Sequence, residues 1–156
     1  MSNEIVKILD GTIEMDYKWS PGSTVGRFLT YLRDSKEVIA VRCPKTSRVY
    51  LPPQAWSPYG QIKMDRFQTL KGKIKLKAGS IVYKSPWNIP EGVTVPYMYA
   101  AVQFAGADTE LLHIVCAKEE VLKNIKPGDE LKIVWKEERT GTIRDIEYFA
   151  PVTQEI

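Results

Sequence analysis

Two short stretches, Cys43-Pro44-Lys45-Thr46 and Ser57-Pro58-Tyr59-Gly60, follow one another at the spacing of the paired C-x-x-C knuckles of a zinc ribbon. A structural zinc needs four thiolate or imidazole ligands arranged as a tetrahedron. Only Cys43 qualifies. Thr46 and Ser57 carry neutral hydroxyls and Gly60 carries no side chain. Sliding the second stretch by one residue puts Trp56 and Tyr59 at those positions, which are no better as ligands. The pattern constrains the chain path to two tight turns facing each other, and it argues against a bound metal. Pro44, Pro58, Trp56 and Tyr50 are the residues expected to hold the turns instead, the prolines by restricting the unfolded chain and the rings by buried area.

The flanking sequence reads as a small β module. Val38-Ile39-Ala40-Val41 is expected to be a strand leading into the first turn, and Val49-Tyr50-Leu51 its return, stopped by Pro52-Pro53, because proline cannot donate to a ladder. Upstream, Val25, Phe28, Leu29 and Leu32 recur at the spacing of an amphipathic helix. Ser23 or Thr24 is the expected cap, and the helix is expected to run to about residue 36. Ahead of it lie an apolar run, Ile5-Val6-Lys7-Ile8-Leu9, a turn at Asp10-Gly11, and an irregular aromatic segment, Tyr17 to Gly22.

After Phe67 the character becomes all-β. Five strands are predicted: 70–83, 96–104, 110–116, 131–135 and 143–149. Turn signals between them include Gly106, Asp108, Lys126-Pro127-Gly128-Asp129 and Thr140-Gly141, and Asn88 to Gly92 reads as a loop. A short helix at 118–125 falls between the third and fourth. Five strands in this arrangement fit a small closed barrel of the OB type. The expected fold is therefore mainly β, divided as an N-terminal helical segment (1–37), a degenerate zinc-ribbon-like module (38–62) and an OB-fold barrel (63–156).

Bulk properties set further bounds. The chain of 156 residues is long enough for a core without staples. No stretch approaches a membrane span, and the start lacks the layout of a secretory signal. Cys43 and Cys116 are expected to be free thiols in a reducing cytoplasm, although one disulfide between them is open. Net charge is +3 and the pI about 8.8, short of the strongly basic balance of a nucleic-acid domain. The basic residues concentrate at Lys63, Arg66, Lys71, Lys73, Lys75, Lys77 and Lys84, with Asp65 the only acid among them.

The ordered set of features resembles the acyl-CoA-associated family of zinc-ribbon/OB-fold proteins, long catalogued as a domain of unknown function. The resemblance runs over about residues 17 to 151. It rests on Tyr17-x-Trp19-x-x-Gly22, Arg27-Phe28-Leu29, Arg42-Cys43, Pro52-Pro53, Val95-Pro96-Tyr97, Gly128, Val134 and Gly141-x-Ile143-x-Asp145-Ile146-x-Tyr148-Phe149. It implies a non-catalytic partner of a thiolase-type enzyme. Members of the family are encoded with thiolases, bridge a thiolase to 3-hydroxy-3-methylglutaryl-CoA synthase, or join aldolases or hydratases that act on CoA esters. The helix and ribbon are expected to dock near the partner's CoA channel, and the barrel to support the ribbon or help hold CoA. Thr46, Ser57 and Gly60 depart from the family's ligand pattern, so neither a metal nor a resident cofactor is expected.

Carried onto this chain, the resemblance makes Tyr17, Trp19, Arg27, Phe28 and Trp56 candidate partner-binding residues, with burial against the chain's own core as the alternative for the aromatics. Lys71, Lys73, Lys75 and Lys77 have period two, which places them on one face of a strand, opposite Ile74 and Leu76. They read either as a strip for the phosphates of CoA or as a solvated edge that blocks strand addition. Cys43 with His113 and Cys116 is a remote metal set, since 113 and 116 fall on opposite faces of a strand. A second function class is a single-stranded nucleic-acid binder on the OB barrel, using the basic 61–84 region with Tyr97, Tyr99 and Phe104. A third, a hydrolase or transferase acting on CoA esters, has no nucleophile elbow, phosphate loop or apolar carboxylate pair behind it.

Overall fold

The computed structural model describes residues 11, 15–16, 18–84 and 92–152. The apolar run at 5–9, Asp10, Tyr17 and loop residues 88–91 lie outside the described residues. Eight strands and two α-helices follow in chain order: α1 (Gly22–Ser35), β1 (Ile39–Arg42), β2 (Val49–Tyr50), β3 (Arg66–Thr69), β4 (Ile74–Val82), β5 (Tyr97–Phe104), β6 (Glu110–Val115), α2 (Glu119–Asn124), β7 (Glu130–Trp135) and β8 (Ile146–Pro151). No helix among the described residues is long and apolar enough to cross a membrane.

The strands form two sheets. β1 is the centre of an antiparallel three-stranded sheet in the order β2-β1-β3. β4 to β8 close into a five-stranded barrel in the order β4-β5-β6-β8-β7, an OB-like arrangement with α2 between its third and fourth strands. The barrel interior follows from strand alternation: Met98, Ala100, Val102 and Phe104 of β5 face inward and are buried. They meet Leu76, Leu111, Val115, Leu131 and Phe149. Phe104 and Phe149 meet edge to face at 6.0 Å between ring centres. Gly79 lets β4 press on β5; a Cβ there would come within 2.5 Å of Met98 Sδ.

Helix α1 begins at Gly22, ahead of both expected caps, Ser23 and Thr24. No side chain caps it from the N-cap position, Pro21, and Ser20 Oγ accepts the Gly22 amide at 3.2 Å instead. The helix ends at Lys36, which takes a left-handed conformation. Its buried face, Phe28 and Leu32, belongs to the same core as Ile39, Leu51 and the barrel interior. A further tie is electrostatic: Arg139 Nε donates to the Arg33 carbonyl at 2.7 Å.

The β5–β6 turn fastens the small sheet to the barrel. The Asp108 carboxylate accepts the Val49 amide at 2.7 Å, while the Asp108 amide donates to the Val49 carbonyl at 2.8 Å. Thr109 Oγ1 accepts from the Leu51 amide and donates to the Leu51 carbonyl, at 2.7 and 2.8 Å. These groups extend the β2 ladder where no further strand is paired, and they satisfy backbone groups that burial would otherwise orphan.

Candidate functional site: the paired knuckle turns

The two turns share one hydrogen-bonding plan. The Cys43 amide donates to the Arg48 carbonyl at 2.8 Å, and the Ser57 amide donates to the Ile62 carbonyl at 2.8 Å. In each turn a residue four positions on, Ser47 (φ 59) or Gln61 (φ 53), turns the chain through the left-handed region. The second turn is closed further by the Met64 amide on the Ala55 carbonyl and by an antiparallel bridge from Trp56 to Lys63. The second turn departs from the first at Gly60, whose φ of 102 is one that L side chains rarely adopt. A ligand-bearing residue there would be strained.

Side chains lock the turns together. The Arg42 guanidinium reaches the Ser47 carbonyl at 2.8 Å and the Gln68 side chain on β3 at 3.1 and 3.2 Å. Arg48 Nη1 donates to the Tyr59 hydroxyl at 3.0 Å and lies over the same ring. Beneath them Val41, Cys43, Tyr50 and Met64 form a small buried cluster with Phe67 packed against it.

Cys43 and Ser57 meet where the first and third zinc ligands of a ribbon would stand. Their Sγ and Oγ are 3.3 Å apart. The Tyr59 amide also donates to Ser57 Oγ at 3.2 Å. Thr46 and Gly60 are exposed. One thiol, two hydroxyls engaged in the turn's own hydrogen bonds and a glycine do not suit zinc. Cys43 is fully buried, which by itself would raise its pKa. The Ser57 hydroxyl first, then the Thr46 side chain and backbone, outweigh that and bring the thiol down to about 6.

The remaining candidate residues fall in different places. Trp56 is 60% exposed and Tyr59 is 51% exposed, both on the knuckle surface. Trp19 is 84% exposed. Arg27 is exposed and lies over the Phe67 ring, 4.6 Å from its centre. Phe28 corrects the expectation: at 2% exposure it is a core residue, because position 28 lies on the helix stripe shared with Leu32. Phe28 therefore offers no surface to a partner.

The lysine row also differs from the expected single face. β4 begins at Ile74, so Lys71 and Lys73 precede the ladder. Register then shifts between Leu76 and Ala78, which leaves Lys77 at a bulge. Nor is the row on a free edge, since β4 pairs with β5 along its length and with β7 at Ile74 and Lys75. Lys73 is held by Glu130 at 2.7 Å; Lys75 lines a shallow hollow with Lys73 and Gln103. Of the three rings proposed for base stacking, Tyr97 and Phe104 are buried and Tyr99 alone is exposed.

His113 and Cys116 separate as strand alternation requires. His113 packs edge-on against Phe149, and burial lowers its pKa, partly opposed by the Ile114 and Ile143 backbone. Cys116, just past the end of β6, is partly buried and lines a different hollow, its thiol pushed up to about 11 by burial and by Glu147. Both cysteines are free, and no cluster of His, Cys, Asp and Glu able to hold a metal occurs among the described residues. Sequence reading missed Thr109 and the roles of Asp108 and Asp145, which it took only as a turn signal and as part of the resemblance. Asp145 is buried and accepts the amides of Thr140, Gly141 and Thr142 at 3.0, 2.8 and 3.2 Å. The capping-box spacing of Thr142 and Asp145 was the available signal.

No family model and no curated protein sequence matches the chain. Solved structures do. A protein of the DUF35 family from Sulfolobus solfataricus is 21% identical, with a TM-score of 0.57 over 72% of this chain and 78% of its own. An Ltp2-ChsH2(DUF35) aldolase is 15% identical, with a TM-score of 0.60 over 86% of this chain and 100% of its own. At these identities the likeness is one of fold: the structural neighbours of this chain are DUF35 proteins, and it has the helix, knuckle and OB-like barrel architecture that its sequence resembles.

Proposed function

We propose that this chain is a non-catalytic accessory subunit of a thiolase-type enzyme acting on acyl-CoA, and that it docks through the knuckle pair. The carrying observation is that the pair keeps its turn plan without a suitable ligand set and turns Trp56 and Tyr59 to the surface. Aromatic residues beside an arginine are the usual anchors of a protein interface, and Arg48 is held against Tyr59. Trp19 and Arg27 extend the aromatic and cationic surface along the N-terminal side. The fold likeness to a DUF35 component of an aldolase supports the same assignment.

In this reading the subunit contributes positioning rather than bond chemistry. It helps complete the partner's channel for the CoA ester, and exposed Lys71, Lys75 and Lys77 are available to the phosphates. Nucleophilic turnover by this chain is disfavoured by a buried Cys43 and a Cys116 whose pKa lies near 11.

Co-purification of the tagged chain from its native cell tests the proposal. A thiolase-fold enzyme identified by mass spectrometry in stoichiometric amount is the expected result, with loss of that enzyme in a Trp56→Ala, Tyr59→Ala variant. A chain that elutes alone sinks the reading, as does an association indifferent to the two rings.

A further inference from the structure

The barrel has a seam. β6 and β8 run parallel and are joined by one register pair, Val115 with Phe149, whereas β5 and β6 pair along their whole length. On the chain-start side of Val115 the two strands part, and the gap opens as a cleft over the β5–β6 outer face. The cleft has a volume of about 180 Å³, more than the ~150 Å³ with which an apolar cavity holds benzene.

Its walls are apolar. Tyr99, Leu112 and Ile143 line it at 52%, 59% and 37% exposure, while Ile146, also in the lining, is fully buried. Leaving such groups uncovered on one face is unusual unless something sits on them. The polar groups are few and placed apart from the walls. His113 lines the cleft, and its Nδ1 is buried with no hydrogen-bond partner among the described residues. Lys136, half-buried, and Arg144, exposed, border the cleft. Neither has an ion-pair partner among the described residues. One carboxylate, Glu147, is also on the border, so the cations outnumber it.

We propose that this cleft is a binding site for a small monocarboxylate with an aromatic or short aliphatic body. The body lies against Tyr99, Leu112 and Ile143, and the carboxylate is held by Lys136 and Arg144. An apolar pocket with a few convergent polar groups is the usual build of a small-molecule site, and within the cleft two cations stand against one carboxylate. The site is remote in sequence from the knuckle residues and does not depend on the docking role.

Titration of the full chain with phenylacetate and with hexanoate, followed by amide and side-chain NMR shifts, tests the proposal. Saturable shifts centred on Tyr99, Leu112 and Ile143 are expected. Phenylacetamide and acetate, which lack the charge and the body respectively, are expected to bind about tenfold more weakly or worse. Lys136→Gln and Arg144→Gln each weaken phenylacetate by about tenfold, and Leu112→Trp, which fills the cleft, abolishes the shifts. Shifts that do not saturate, that spread over Lys71–Lys77, that acetate reproduces, or that survive both charge variants overturn the site.

Discussion

In the barrel, Phe104 and Phe149 meet edge to face within a core that Leu76, Val102, Leu111 and Leu131 extend, and that core continues through Ile39 and Leu51 to Phe28 and Leu32 of α1. In the knuckle region the separate buried cluster is Val41, Cys43, Tyr50 and Met64. The barrel is held by apolar burial over many side chains. The knuckles are held by a repeated backbone plan, by Arg42 and Arg48, and by one Cys–Ser contact. A zinc ribbon of this size normally rests on its ion, whose binding is itself folding energy. The difference teaches how such a module can be held without a metal: β1 and the Asp108–Thr109 clamp join it to the barrel, and Ile39, Val49 and Leu51 of the small sheet share the barrel's core.

The largest effect is expected where apolar burial carries the fold. Phe149→Ala removes a fully buried ring that touches Phe104 and His113, and should cost about 3–5 kcal/mol of stability in chemical denaturation. A loss of less than ~1 kcal/mol would mean that the barrel core is not the main support.

Restoring ligands sharpens the other side of the contrast. Thr46→Cys with Ser57→Cys supplies three thiolates with Cys43 on turns that already have knuckle geometry. Added zinc should then raise stability by about 2–3 kcal/mol at a hundredfold excess over its dissociation constant, reversed by a chelator. Adding Gly60→Cys should gain little, because φ of 102 strains any side chain there. A double variant that ignores zinc would show that the turns have lost the ligand geometry.

Next in size is the clamp between the regions. Asp108→Ala leaves the Val49 amide without its carboxylate acceptor and should cost about 1–3 kcal/mol. Hydrogen exchange should quicken at the Cys43 and Ser57 amides more than at Val102. Equal quickening throughout would dissolve the distinction between the two regions.

The last contrast is a slope. The folded Cys43 pKa of about 6 lies below its ordinary 9.0, so the folded state binds fewer protons than the unfolded state between those values. Stability should therefore rise with pH from about 6 to about 9, and be lost as pH falls through 6. Cys43→Ser should flatten that window in a series of melting curves, and an unchanged slope would assign the linkage elsewhere.

Much of the backbone was legible. Phe28 and Leu32 gave away α1, the alternation in Tyr97–Phe104 gave a barrel strand, and Lys126-Pro127-Gly128-Asp129 marked the turn before β7. β3 was not legible, since Arg66-Phe67-Gln68-Thr69 carries no alternation of its own and becomes a strand by pairing with β1. The lysine row misled because period two holds only while a strand is unbroken, and a bulge at Lys77 breaks it. The candidate site was half legible. Its turns were written in Cys43-Pro44 and Ser57-Pro58, but Phe28 and Trp56 are indistinguishable by type and differ only in which side of the chain the core lies.

The order of residues fixed the local periods: a helical stripe before the knuckles, alternating strands after them, and a ligand set too poor for zinc. Those depend on neighbours along the chain, and each can be read one segment at a time. Contacts between distant segments decided the rest: Asp108 and Thr109 completing the β2 ladder, Cys43 meeting Ser57, and β6 parting from β8 to open a cleft over Tyr99 and Leu112. Only tertiary packing brings those residues together, because spacing along a chain sets which way a side chain points and not what it meets there.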